Sequence, residues 1–277
     1  MRSQIAEKLA LEHQPVAIMW TDEKPEGTVG FKPGKWGCVM WLLATAAKGQ
    51  AAALSRDTYG CWGGGVGLGF GNRYTAFPGG IECFHRFLST GNHAWERGKG
   101  VARQIEGFVS KEFLEDFLNG EGYFKSPELV QDFLERMPIM EIPSNWVVLK
   151  PFGQVQLGEE EPRVVVFLAN PDQLSALVIL ANYGRRGVEN VIIPYAAGCQ
   201  TIGIFPYREI QQDPQRAVVG LTDISARLNL RKRLGKDLFT FSVPWKMFQE
   251  MEGNVLGSFL ERRTWRALLP GGGANEG

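Results

Sequence analysis

Histidine is scarce in this 277-residue chain: His13, His85 and His93 are all there is. Cysteine is nearly as rare, and the four present (Cys38, Cys61, Cys83 and Cys199) never form a Cys-x-x-Cys pair. Zinc-ribbon, thioredoxin-type and ferredoxin-type spacings are therefore excluded as patterns. Cys83-Phe84-His85 has the Cys-x-His opening of a Rieske site, but no Cys-x-x-His half follows it. Net charge is also missing, because thirty basic residues cancel thirty acidic ones. A phosphate-binding surface needs a basic footprint, so no nucleic-acid partner is expected. No apolar run reaches the roughly 18 residues of a membrane span. Residues 1–20 lack the cationic and then apolar segments of a signal peptide. The expected compartment is the cytoplasm, where thiols stay reduced and serve as ligands, nucleophiles or core residues.

The common nucleotide and hydrolase motifs are absent too. A P-loop needs Gly-Lys followed by Ser or Thr. Here Gly34-Lys35 precedes Trp36, Gly98-Lys99 precedes Gly100, and Gly235-Lys236 precedes Asp237. No glycine run has the two-then-three spacing of a dinucleotide fingerprint, and no Gly-x-Ser-x-Gly elbow occurs.

Glycine itself is abundant, with 34 residues, and nine of them fall between Gly60 and Gly80. The densest part reads Tyr59-Gly-Cys61-Trp-Gly-Gly-Gly-Val-Gly-Leu-Gly-Phe-Gly71. Glycine interrupts helices and strands, so a loop is expected here. In such a loop the amides of Gly60, Gly63, Gly64 and Gly65 can converge on an anion: a phosphate, a carboxylate or the sulfides of a cluster.

Hydrophobic patterning places elements on both sides of this tract. Residues 3–12 read as an amphipathic helix and Pro15–Trp20 as a buried strand. Residues 36–48 read as a helix carrying Cys38, and 51–54 as a strand. Residues 81–136 read as helical pieces, one of them started by Ser126-Pro127-Glu128. Strands are expected at 146–150, 163–169, 191–194, 201–205, 217–221 and 238–243. Asn170-Pro171-Asp172-Gln173 has the composition of a capping box and opens a helix to Tyr183. Asp223 reads as the cap of a helix, and Pro244 as the start of a long helix to about Arg266. Interleaved strands and helices predict an α/β or α+β fold: a mixed β-sheet with flanking helices and a glycine-rich site loop. One globular domain over 1–269 is expected, with any division into lobes near 140–145 and a disordered tail over 270–277.

Charge is uneven along the chain. Residues 226–266 hold nine bases and four acids, and 111–161 hold eleven acids and four bases. The run Arg231-Lys232-Arg233 with Lys236 reads as a solvated helix end.

The candidate chemistry centres on the cysteines. Cys38, Cys61 and Cys199 each have glycine beside them (Gly37, Gly60 and Gly198), which suits close backbone approach to a thiolate. Cys83 does not. Three readings follow. In the first, Cys38, Cys61 and Cys199 bind three irons of an iron–sulfur cluster, with Cys83 or a non-protein ligand on the fourth and Trp36, Trp41 and Trp62 shielding it. In the second, the Gly60–Gly71 tract binds a small anionic ligand without metal. In the third, Cys61 or Cys83 is a nucleophile and His85 its base.

The segments Gly37-Cys38-Val-Met, Gly60–Gly71, Phe77-Pro-Gly-Gly80 with Phe87-Leu-Ser, Ala169-Asn-Pro-Asp-Gln173 and Ala197-Gly-Cys199 together resemble the domain-of-unknown-function 169 family. The resemblance spans about residues 10 to 260. It implies a prokaryotic, soluble protein and brings no catalytic residue with it. Cys38, Cys61 and Cys199 lie inside the family-like segments and Cys83 less clearly so, which favours the cluster reading. The expectation is a [4Fe–4S] protein with Cys38, Cys61, Cys83 and Cys199 as ligands and a redox or small-molecule enzymatic role. A redox partner or small-molecule ligand is implied, and a homo-oligomer is compatible with the composition.

Overall fold

Apolar runs with little polar interruption build the strands: β1 (Val16–Thr21), β2 (Ala52–Ser55), β3 (Trp146–Pro151), β4 (Val164–Ala169), β5 (Val191–Ile192), β6 (Ala217–Gly220) and β7 (Phe239–Pro244). A computed structural model describes residues 2–269; the tail from Pro270, expected to be disordered, lies outside the described residues. The strands form one sheet in the order β2-β3-β1-β4-β7-β6-β5. Every pairing is antiparallel except β5 with β6, so the sheet is mixed. Val16 of β1 faces Pro151 on one side and Val166 on the other, and Val166 in turn faces Ser242.

The helices are α1 (Gln4–Lys8), α2 (Val39–Ala47), α3 (Trp62–Gly67), α4 (Ile81–Phe87), α5 (Glu96–Ile105), α6 (Lys111–Asn119), α7 (Pro127–Arg136), α8 (Pro171–Tyr183), α9 (Gly198–Ile202), α10 (Ile204–Ile210), α11 (Ile224–Leu234), α12 (Trp245–Gly253) and α13 (Arg263–Leu268). Among the described residues, no helix is long and apolar enough to cross a membrane. The chain forms two compact units. One runs to Phe70 and resumes at Met140; the other is Gly71–Ile139.

The first unit holds the sheet, and both faces are covered. Val164, Val166 and Leu168 enter one core with Val16, Ile18, residues of α2, Cys199 and Leu230. Val165, Phe167 and Ala169 enter the other with Ala17, Leu177, Phe241, Phe248 and Trp265. Side chains alternate across a strand, so a strand covered on both sides must be apolar throughout. Each large side chain buried this way stabilises the fold by roughly 1.5–3 kcal/mol. The second unit contains α4–α7. Phe77, Phe84, Phe87, Phe113 and Phe117 pack there with ring centroids 5.1–6.4 Å apart. Fully buried Asn92 donates to the carbonyls of Cys83 and Phe117, tying α4 to α6.

Three expectations need correction. The glycine tract is not a loop throughout: Trp62–Gly67 is α3. Each glycine costs a helix about 1 kcal/mol relative to alanine, but here the absent side chains are what permit packing. A Cβ on Gly67 would stand 2.7 Å from the backbone carbon of Cys199. Residues 201–205 are not a strand but parts of α9 and α10. The Gln200 carboxamide accepts the Ala197 amide and starts a helix that the β-branched Thr201-Ile202 would not choose alone. The helix after Pro244 stops at Gly253, Gly257 turns with a φ of +79°, and α13 begins only at Arg263.

The Asn170–Gln173 capping box is present, with Gln173 N–H donating to Asn170 Oδ1 at 2.9 Å and Asn170 N–H to Gln173 Oε1 at 3.0 Å. Ser126 stands at the cap of α7 as expected, but its hydroxyl engages Glu128 and not the backbone.

Candidate cysteine site

Three of the four cysteines stand where helices begin. Cys38 is the cap of α2, Cys61 the cap of α3, and Cys199 the second residue of α9. Cys38 and Cys199 lie 23 and 138 positions from Cys61 in the chain, and Cys38 meets Cys61 because the loops before α2 and α3 touch. Gly60, at φ +82°, passes so close to the Gly37 carbonyl that a Cβ there would lie 2.3 Å from its oxygen. On the other side α3 packs on α9, where Cys199 Sγ–H donates to the Gly63 carbonyl at 3.0 Å.

Backbone amides face the sulfurs. The Gly64 N–H donates to Cys61 Sγ at 3.3 Å. Amides of Met40 and Trp41 favour the Cys38 thiolate, as the Gly63 amide does for Cys61. Burial outweighs them. It pushes the Cys38 thiol up to about 12, with the neighbouring Cys61 adding to the rise. It raises Cys61 and lifts Cys199 well above the ordinary thiol, the latter also through Cys61 and Cys38. The three sulfurs thus lie within each other's electrostatic reach, and as bare thiolates they repel.

Asp223 joins them. Its Oδ1 accepts from Ala226 N–H at 2.7 Å and caps α11, while Oδ2 accepts from Gly198 N–H at 2.6 Å. Burial raises its pKa, and backbone and Ser225 hydrogen bonds oppose the rise. The residue read as a cap is one, but it also pins the start of α9, and its charge acts on all three thiols. Nothing in the local sequence gives away a bond reaching back 25 residues; the one hint is that Asp223 and Gly198 both open helices after strand-like runs.

Cys83 lies in the other unit, fully buried on α4. Burial raises its pKa, and the charges acting on it are Arg97, Glu82 and Arg86, all of its own unit. Glu82 pairs with Arg97 at 2.6 Å. Burial lowers the pKa of His85. A thiol nucleophile needs a lowered pKa, and every cysteine here has a raised one.

Of the glycines expected to cradle a ligand, Gly60 leads into α3, while Gly63, Gly64 and Gly65 form its first turn. Two of their amides are committed: Gly64 N–H to Cys61 Sγ, and Gly65 N–H to the Cys61 carbonyl at 3.0 Å. The first serves the sulfur and the second the helix. Trp41 stands edge-on to exposed Trp36 at 5.4 Å, in the first turn after Cys38. Among the described residues, no three His, Cys, Asp or Glu side chains are arranged to hold a metal ion.

Comparison with known proteins gives one match. The model of the DUF169 family, described as uncharacterised ArCR, matches residues 4–254, and the chain belongs to that family. No curated protein and no solved structure matches the chain.

Proposed function

We propose that this member of the DUF169 family is an iron–sulfur protein, with Cys38, Cys61 and Cys199 as the cluster's ligands. The observation that carries the proposal is the meeting of three thiols from distant parts of the chain, each at a helix start, with Cys61 raising the pKa of Cys38 and both raising that of Cys199. Three neighbouring thiols whose surroundings resist the thiolate form, Cys199 buried and Cys38 and Cys61 half-buried, gain most from a cationic partner, since metal binding deprotonates them and cancels their repulsion. A cluster holds its thiolates farther apart than a single ion does, so the lack of a single-ion arrangement is compatible with this donor set. Thiolate ligands and N–H···S bonds are what such clusters use.

A [4Fe–4S] cluster is the simplest occupant. Held by three cysteines, it supplies one-electron chemistry and leaves one iron for a non-protein ligand. The chain's own groups would then act as follows. Cys38, Cys61 and Cys199 bind. The Gly64 amide steadies the Cys61 sulfur. Asp223 keeps α9, and with it Cys199, in place and adds a negative charge beside the site. Cys83 is not required.

The test is anaerobic purification and reconstitution, followed by iron and sulfide analysis. About four irons and four sulfides per chain are expected, with visible absorption that bleaches on reduction. Colourless, iron-free protein after reconstitution would overturn the reading.

A further inference from the structure

We infer that the outer face of α11 is the docking surface for an acidic one-electron carrier protein; this rests on the cluster reading above. From Ile224 to Lys236 the chain carries Arg227, Arg231, Lys232, Arg233 and Lys236 and no acid. Ala226, Leu230 and Leu234 turn inward and hold the helix on the core. Ile224, Leu228, Arg231 and Lys232 follow at helical spacing on the opposite face. All four are exposed, Ile224 at 68% and Leu228 at 52%.

Two of the five cations have work inside the fold. The Arg227 guanidinium donates to the carbonyls of Leu221, Leu238 and Lys236, and that of Arg233 lies 5.1 Å from the Trp41 ring centroid. Arg231, Lys232 and Lys236 make no ion pair among the described residues. Elsewhere exposed cations such as Arg97, Lys99 and Arg136 are paired with Glu82, Glu96 and Asp132. An unneutralised row of cations steers an oppositely charged partner.

The helix is joined to the cysteine site at its start and at its middle. Its cap, Asp223, bonds Gly198 beside Cys199. Farther along, Asn229 Oδ1 accepts from Trp41 Nε1 at 2.9 Å, on the helix that Cys38 begins. A carrier seated on α11 therefore rests on a helix tied directly to the segments that bear Cys38 and Cys199.

The exposed aliphatic pair selects a protein over other anions. Apolar side chains ringed by charge match the apolar centre and polar rim of protein interfaces. Phosphate backbones offer Ile224 and Leu228 nothing to bury against. The chain as a whole also carries no excess positive charge, whereas nucleic-acid binding draws on a broad basic footprint.

The probe is a purified plant-type [2Fe–2S] ferredoxin, an acidic one-electron carrier, titrated into the anaerobically reconstituted full-length protein by calorimetry. Binding should weaken by about tenfold or more as ionic strength rises from about 0.01 to 0.1 M, where the Debye length falls from about 30 to 10 Å. The double variant Arg231→Glu, Lys232→Glu should bind at least about tenfold more weakly at low salt, and Ile224→Ser, Leu228→Ser more weakly at every salt. These side chains are exposed, so unchanged thermal unfolding will show that the fold is kept. Ferredoxin binding that is undetectable at low salt, or unaffected by the charge reversal, overturns the inference. So does equal or tighter binding of a DNA duplex. Iron analysis of the same preparation separates the two claims. Iron without ferredoxin binding defeats only the docking face; binding without iron defeats the cluster and with it the electron-carrier role, leaving only a protein-binding face.

Discussion

Cys61 and Cys83 have only 21 residues between them, yet they occupy opposite kinds of place. Cys83 is buried and Cys61 half-buried, and burial raises the pKa of both. What differs is the company. Cys61 begins α3, accepts an amide hydrogen bond and has two more thiols and a carboxylate in its field. Cys83 sits within α4 beside a phenylalanine cluster, and the nearest opposing charges are guanidinium groups already engaged by Glu82 or stacked on Trp95. Burial alone does not make a cysteine a ligand. Convergence at helix starts, with amides aimed at the sulfur, is the stronger sign.

The comparison can be broken most decisively by substitution. Cys61→Ala should abolish iron retention after reconstitution, whereas Cys83→Ala should leave the iron content unchanged. Loss of iron in the Cys83 variant would return it to the ligand set. The next largest effect concerns stability. Phe117 is fully buried in the aromatic cluster, and Phe117→Ala should cost about 3–5 kcal/mol in denaturant unfolding of the second unit. Iron content should not change where the protein remains folded. An equal loss of cluster would show that the two units do not behave separately.

Alkaline pH offers a third handle. The folded Cys38 thiol is raised from 9.0 to about 12, so the neutral form is favoured in the native apo state. Its contribution to stability is complete below about pH 9 and falls as pH rises toward 12. Apo protein should therefore unfold more easily across that window. Cys38→Ser should flatten the trend, and an unchanged slope would mean that other groups set it.

The smallest effect is expected at Asp223. Asparagine caps helices about as well as aspartate, so Asp223→Asn should cost only about 1 kcal/mol, chiefly for the bond to Gly198. It removes one negative charge beside the thiols, so the reduction potential of the reconstituted site should rise, as measured by redox titration. An unmoved potential would reduce Asp223 to a cap.

Much of the sheet was legible beforehand because its strands are buried on both faces. Val164–Ala169 has no choice but to be apolar throughout, and Asn170–Gln173 carries its capping chemistry within four residues. Residues 201–205 misled for the opposite reason: their β-branched content is a local signal, and a cap and packing partners far away overrule it. The glycine tract misled similarly, since its low helix propensity is real but the space against Cys199 admits nothing larger.

At the site, the identity of three cysteines and their glycine neighbours could be read directly. Which of the four belong together could not. The spacings of 22, 21 and 115 intervening residues say nothing about distance in space. By itself the sequence determined the element types, the apolar strands and the supply of thiols, because these follow from short-range backbone and side-chain preferences. Only the tertiary structure decided that Cys38, Cys61 and Cys199 meet while Cys83 joins an aromatic core. Those meetings depend on contacts such as Gly60 on Gly37, α3 on α9 and Asp223 on Gly198, which exist only once the chain has closed on itself.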